Sequence, residues 1–379
     1  MKTGLVFSAI KEKLPKIVER LFSFIPSGVG AEGAIPKLSK GDEKHLLQDG
    51  ARWAVAQGYG RQEDLDHTEE GGRLSSADPE LLSDRALERG LRQVGTLGSG
   101  NHFLEIGRVD EIYLPQIAES LNVFHDQVVV LIHTGSRGLG YQVCEDSLKV
   151  MNQAMAKYNI HLPDRQLACT PIKSPEGQHY LAAMAAAANY AWVNRQVIMN
   201  RAEEAFLQVL DISPKELGFS LIYDVCHNIA KTEDHVLDGK RRRLCVHRKG
   251  ATRAFPPRHP QIPRAYQEIG QPILIPGDMG RYSYLLVGTE AAMDKTFGST
   301  CHGAGRVMSR AQSRKQSQRI NIDQEMARLG VVARYQGRAT MAEEMSHAYK
   351  DVADVVETME QAGISKRVAR LRPVGVIKG

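Results

Sequence analysis

A chain of 379 residues, 42% hydrophobic and 25% charged, has the balance of a soluble globular protein and the length to bury a sizeable core. No apolar run reaches the roughly 18–20 residues of a membrane helix, and the opening MKTGLVFSAIKEKL has no small-residue cleavage site, so neither a membrane partner nor a signal peptide is expected. Five scattered cysteines without a CxxC pair point to a reducing, cytoplasmic setting and away from disulfides or a zinc knuckle, while a net charge of +5 is compatible with a polyanionic partner.

In chain order, residues 9–24 predict an amphipathic helix, because Ile10, Leu14, Ile17, Val18, Leu21 and Phe22 recur at helical spacing. Pro15 sits early enough for a first turn, and Pro26, Gly28 and Gly30 end the helix. A second helix is expected over 44–57, then a polar loop with one short helix over 60–88. Strands are expected at 128–132, 219–225, 272–275 and 284–287, with a long Ala-rich helix from 179 to about 210. This alternation predicts a mixed α/β fold in a single large domain over 1–379, with a cleft at the strand ends.

The histidines carry the chemistry. His133 follows the 128–132 strand and His227 the 219–225 strand, while His102 and His302 sit beside glycines in GSGNHFLE and CHGAGR. Loops at strand ends converge over a rigid sheet, and neutral imidazole is the commonest metal ligand. His102, His133 and His227 together could therefore enclose one or two divalent ions. Gly135, Gly138, Gly140, Gly277, Gly280, Gly303 and Gly305 mark turns of the kind that offer backbone N–H groups to anions, and Arg137, Arg248, Lys249, Arg253 and Arg306 lie beside them. The combination points to phosphoryl or nucleotidyl chemistry without a P-loop, since no G-x-x-x-x-G-K-[ST] occurs, and without a dinucleotide fingerprint.

Read together, IPSGVG at 25–30, GTLGSGNHFLE at 95–105, HTGSRGLG at 133–140, AMAAAANYAWVNRQ at 183–196, HNIAK at 227–231 and VHRKGATRAFPP at 246–257 resemble the RtcB family of RNA ligases. PILIPGDMGRYSYLLVG at 272–288, STCHGAGRVMSR at 299–310, AYKDV at 348–352 and LRPVGVIKG at 371–379 continue the resemblance in the same order. It implies an RtcB-like fold and a GTP- and manganese-dependent ligase, acting in transfer RNA splicing or RNA repair. Such an enzyme joins RNA with a 3′-phosphate or 2′,3′-cyclic phosphate to RNA with a 5′-hydroxyl.

By the same resemblance His302 matches the guanylylated histidine, and His102, His133 and His227 match the metal ligands. Asn101, His102, Phe103, Leu104, Glu105, His227, Asn228, Pro276, Gly277, Asp278, Met279, Ser283, His302, Gly303, Ala304, Gly305, Tyr349 and Lys378 match the guanylate-binding set. At 278 some members carry Ser, so a Ser-specific hydrogen bond is not expected here. Arg137, Arg248, Lys249 and Arg253 are candidates to hold RNA phosphates.

One departure stands out. The family pattern resembling D-I-N-C-G-V-R, whose Asp and Cys complete the metal site, has no match in this sequence. The expectation is a chain truncated at its N-terminal side relative to the family, with weakened manganese binding and poor ligation. Alternative readings are a catalytically impaired RNA-binding relative and a metal-dependent phosphodiesterase. The partners implied are RNA, such as transfer RNA halves, and an activating helper protein.

Overall fold

The computed structural model describes residues 1–164 and 167–379, and its fold mixes helices with one seven-stranded sheet and two small two-stranded sheets. The strands are β1 (Lys2–Val6), β2 (Phe103–Ile112), β3 (Gln127–His133), β4 (Asn228–Leu237), β5 (Lys240–Lys249), β6 (Ala251–Arg253), β7 (Pro272–Pro276), β8 (Ser283–Gly288), β9 (Ser299–Cys301), β10 (Val332–Tyr335) and β11 (Ser365–Lys378). The large sheet runs β1-β3-β2-β11-β8-β7, with β10 added in parallel to β11 and every other pairing antiparallel. β4 pairs with β5, and β6 with β9.

The first predicted helix is two pieces, Phe7–Ile10 and Leu14–Phe24, and Pro15 is tolerated in the first turn of the second. Its apolar face, Leu14, Ile17, Val18 and Leu21, is buried with Leu104, Ile106, Val128 and Val130 of the sheet. The 44–57 helix is likewise split, into Lys40–Asp49 and Ala51–Ala56. Gly50 divides them at φ 59°, where an added Cβ would lie 2.1 Å from the carbonyl oxygen of Gly72. The loop at 60–88 is built from short helical turns, at Gln62–Asp66, Glu69–Gly72, Pro79–Leu81 and Asp84–Gly90. The strand expected at 219–225 is the one element that does not form a ladder. Phe219, Leu221, Ile222 and Tyr223 are buried as their apolarity requires, but the backbone pairs singly, Ser220 with Lys2 and Asp224 with Thr68.

Helix Pro175–Leu210, 36 residues long, is the second support of the site. Its alanines let it approach neighbours closely, and its buried Asn194 ties two glycine-rich loops to it. The Asn194 Oδ1 accepts from the N–H groups of Gly95 (2.7 Å) and Thr96 (3.0 Å). Its Nδ2 donates to the carbonyls of Thr96 (3.2 Å) and Gly135 (3.0 Å). Asn189, one turn and a half earlier, holds Leu47 and Leu74 in the same way. Replacing Asn194 with Leu leaves several buried backbone groups unpaired, each costing roughly 1–3 kcal/mol. Asn194→Leu is expected to lower the unfolding free energy by about 3 kcal/mol in urea titrations, a loss that a surface change such as Asn152→Leu does not produce.

Candidate functional site

Antiparallel pairing places the start of β2 beside the ends of both β3 and β11. Phe103 is in register with His133 on one side and with Lys378 on the other. His102, His133 and Lys378 thus reach the same edge of the sheet although they are far apart in sequence. His227 arrives from the turn that opens β4, and His302 from the turn that follows β9.

The four imidazoles form one cluster. His133 Nε2 lies 3.0 Å from His227 Nε2. The rings of His102 and His133 are 6.3 Å apart between centroids, those of His133 and His302 6.4 Å. His227 and His302 stack, 4.3 Å apart and 6° from parallel. Burial drives the pKa of His102 down to about 3 and of His227 down to about 2, and that of His133 well below the ordinary imidazole range, with the neighbouring cations and imidazoles adding to the effect. His302 is lowered as well, chiefly by burial. All four are therefore neutral at pH 7. The Nδ1 atoms of His102, His227 and His302 are buried with no hydrogen-bond partner among the described residues.

These rings border a cavity of about 710 Å3 that also touches Pro276, Asn228 and Lys249. On the far side of His102 lies a second buried polar layer. Glu105 accepts a hydrogen bond from the Ser283 hydroxyl at 3.1 Å. The Lys378 ammonium donates to the carbonyls of Gly100 (2.5 Å) and His102 (3.4 Å), and burial lowers its pKa to about 8. Asp278 caps its own turn, accepting from Gly280 N (2.9 Å), Arg281 N (3.2 Å) and the Ser346 hydroxyl. Ala304 N donates to the Pro276 carbonyl at 3.2 Å, joining the loops at 276–279 and 302–305. Tyr349 bonds Glu344, which also receives Arg306 at 3.1 Å.

The chain is matched over residues 1–379 by the family model described as tRNA-splicing ligase RtcB. It belongs to the RtcB family. It is 52% identical over its whole length to a tRNA-splicing ligase RtcB of Archaeoglobus fulgidus, spanning 78% of that protein. It is 51% identical to one of Pyrococcus abyssi and 50% to one of Methanocaldococcus jannaschii, again over all of this chain, but spans only 41% and 39% of those proteins.

Among the residues that the RtcB resemblance singles out, His102, His133, His227, Asn228, Pro276 and His302 face the cavity. Glu105, Ser283, Lys378, Asp278 and Tyr349 lie in the polar layers behind it, and Leu104 and Met279 turn their side chains into apolar cores, leaving only backbone to face a ligand. Two expected phosphate contacts, Arg248 and Arg253, do not fit that role. Arg248 is 2% exposed and gives both terminal nitrogens to Glu233, at 2.6 and 2.8 Å. Arg253 is fully buried against Glu69 and Glu70, whereas Arg137 lines the cavity and donates through Nε to Thr96 and through Nη2 to Gly28. Arg248 and Arg253 sit where a cation offsets buried carboxylates, a role that sequence spacing does not distinguish from phosphate binding. Lys249 is the exposed member of the four.

Sequence reasoning gave no part to Arg195, and offered Asp224 and Cys226 beside His227 as a stand-in carboxylate and thiolate for a cation. Arg195 holds Asp224 through Nε at 2.7 and 2.9 Å and approaches the Cys226 sulfur at 3.8 Å. Burial pushes the Cys226 thiol up to about 12, so beside His227 it is a neutral thiol, and Asp224 is already paired. The clue was present in the quoted motif at 183–196, whose Asn and Arg interrupt an otherwise apolar helix face.

Glu105 offers a direct test of the second layer. Burial raises its pKa to about 8 and the Asp278 carboxylate adds to this, while the Ser283 bond opposes. Because the folded-state pKa is raised, the protonated carboxyl's contribution to stability is complete below the ordinary value of 4.5, declines as pH rises, and is gone above about 8. Glu105→Gln removes that titration. The melting temperature of Glu105→Gln relative to the unsubstituted protein is expected to climb between pH 5 and pH 8 and then level off; a constant difference would show Glu105 to be ionised throughout.

Proposed function

We propose that this chain catalyses GTP-dependent joining of RNA 3′-phosphate and 5′-hydroxyl ends, with His302 as the guanylylated nucleophile. The observation that carries this reading is the meeting of four neutral imidazoles, three with an unpartnered buried Nδ1, at the mouth of one cavity. The relatives' shared name, tRNA-splicing ligase, supports RNA as the substrate.

A neutral imidazole has the lone pair that attack on phosphorus requires. The His302 nitrogen would bond to the α-phosphorus of GTP as the bond to pyrophosphate breaks. An oxygen of the RNA 3′-phosphate would then take the guanylyl group, breaking the P–N bond. The 5′-hydroxyl of the second RNA would attack the activated 3′-phosphorus, give up its proton and release guanylate. His227, stacked on His302, fixes the ring plane. Lys378, Ser283, Glu105 and the backbone at 303–305 are the groups suited to hold guanylate.

The donor set also fits a divalent cation such as manganese. His133 and His227, whose Nε2 atoms lie 3.0 Å apart, bring two imidazole donors together and would hold such an ion. His102 would be the third ligand. Among the described residues no three such donors already stand in a coordinating arrangement. A cation there would supply charge neutralisation to the triphosphate. This set brings no anionic ligand, and with Asp224 and Cys226 committed elsewhere, binding by these residues alone is weak.

The experiment is incubation with GTP radiolabelled at the α-phosphate. Covalent label is expected on the unsubstituted protein and to be lost in His302→Ala, with an unchanged melting temperature; full label on a folded His302→Ala protein refutes the assignment. A phosphodiesterase or a pure RNA binder takes no label at all.

Gly98 reports on the third ligand. A Cβ there would lie 2.0 Å from His102 Nδ1 and 2.3 Å from Arg137 Nη1. Gly98→Ala therefore displaces the ring, and manganese affinity measured by calorimetry is expected to fall by roughly 10–100-fold, as when a ligand's supporting shell is removed. Undiminished affinity would take His102 out of the cation site.

A further inference from the structure

The β4–β5 hairpin has two unlike faces. Its Asp238-Gly239 tip has positive φ at both residues, 52° and 71°, the backbone of a tight two-residue hairpin turn. One face is locked to the body: Ile229, Lys231, Glu233, His235 and Arg248 are buried. Lys231 reaches Glu69 and Glu70 at 2.9 Å each, and Glu233 holds both Arg248 and His235. Strand alternation sends the intervening residues of β5 the other way. Arg241, Arg243, His247 and Lys249 are all exposed along that row, which is about 27 Å long at the rise of a strand. Opposite them in register stand Val236, Asp234, Ala230 and Asn228, so one carboxylate, already paired with Arg241 at 2.8 Å, faces the row. The row ends inside the catalytic cavity, whose lining includes His247, Lys249 and His302.

Two tyrosines border the same cavity. Tyr141, 59% exposed, and Tyr180 project from helices Arg137–Lys157 and Pro175–Leu210 and line the same space. Arg89 lies over the Tyr141 ring at 5.1 Å. A positive row beside one exposed and one half-buried aromatic ring matches the pattern that takes single-stranded nucleic acid, with phosphates on the cations and bases stacked on the rings.

We propose that the groove between β5 and Tyr141/Tyr180 seats the single-stranded end of the substrate RNA and leads it to His302. The inference rests on the ligase reading for its substrate and adds the surface that binds it. The rigid anchoring of the hairpin's inner face means that the row is presented ready-made rather than ordered on binding. Contacts of this kind follow backbone and stacking rather than sequence, so the groove accepts ends of any sequence.

The test is binding of a short fluorescent single-stranded oligoribonucleotide with a 3′-phosphate, titrated across salt concentrations. Each lost phosphate contact lowers the slope of log K against log salt by about 0.7 for a single strand. Arg241→Gln/Arg243→Gln is expected to lower it by about 1.4 and to weaken binding on the order of tenfold at low salt. Tyr141→Leu is expected to weaken binding by a comparable factor with the slope unchanged. Lys11→Gln/Lys16→Gln, which removes the same charge from an exposed helical region, leaves both unchanged. An unaltered slope in the arginine variant, or a drop of equal size in the lysine variant, overturns the groove. Annealing the oligoribonucleotide to its complement should abolish the Tyr141 effect, and its persistence on duplex would overturn the stacking wall. Labelling of the unsubstituted protein by GTP is read separately: its absence overturns the ligase reading, while the salt slopes, which need no label, still decide the groove.

Discussion

The register of three strands is the constraint on which the site depends. β2 lies between β3 and β11, and both neighbours run antiparallel to it, so the residue that opens β2 is flanked by the residues that close the other two. A slip of one residue in either ladder would turn His133 or Lys378 to the other face. The sheet is buried by helix Leu14–Phe24 and by helix Pro175–Leu210, which makes such a slip costly across the whole core, not only at the cluster. Positional accuracy at the histidines is thus underwritten by apolar packing remote from them.

Around this edge the protein separates charge from chemistry. The imidazoles are kept neutral by burial, while the cations that sequence places beside them are spent on carboxylates: Arg195 on Asp224, Arg248 on Glu233, Arg253 and Lys231 on Glu69 and Glu70. Glu69 shows the balance of these effects, for burial would raise its pKa, yet Lys231 and Arg253 bring it down to about 2. The cluster is left with lone pairs and no net charge, a condition that suits both nucleophilic attack and cation capture.

Much of this was legible in the sequence because it is local. His102, His133, His227 and His302 could be singled out by turn glycines and strand signals, and three of the four expected strands form ladders at nearly the expected bounds. The segment at 219–225 was misread because a β-branched and aromatic run looks alike whether it pairs in a ladder or is pinned by single bridges. The β4–β5 hairpin went unread although Asp238-Gly239 between alternating residues announces it, since the lysines and arginines of β5 hide its apolar period. The fates of Arg248 and Arg253 were not legible at all: their partners, Glu233 and Glu69, become neighbours only once the fold has formed.

The ladder between β2 and β11 has a kinetic consequence. Its partners are far apart along the chain, Arg370 and Asp110 being separated by 260 positions, and such pairings form late because a long loop must close first. Until β11 arrives, β2 and β8 present open edges to solvent and to other chains. The β2–β3 pairing that brings His102 and His133 together is closer in sequence and can form first, but Lys378 joins that edge only with the closing strand. Partly folded molecules therefore carry open strand edges for longer than the local pairings need, a window of aggregation during synthesis and refolding.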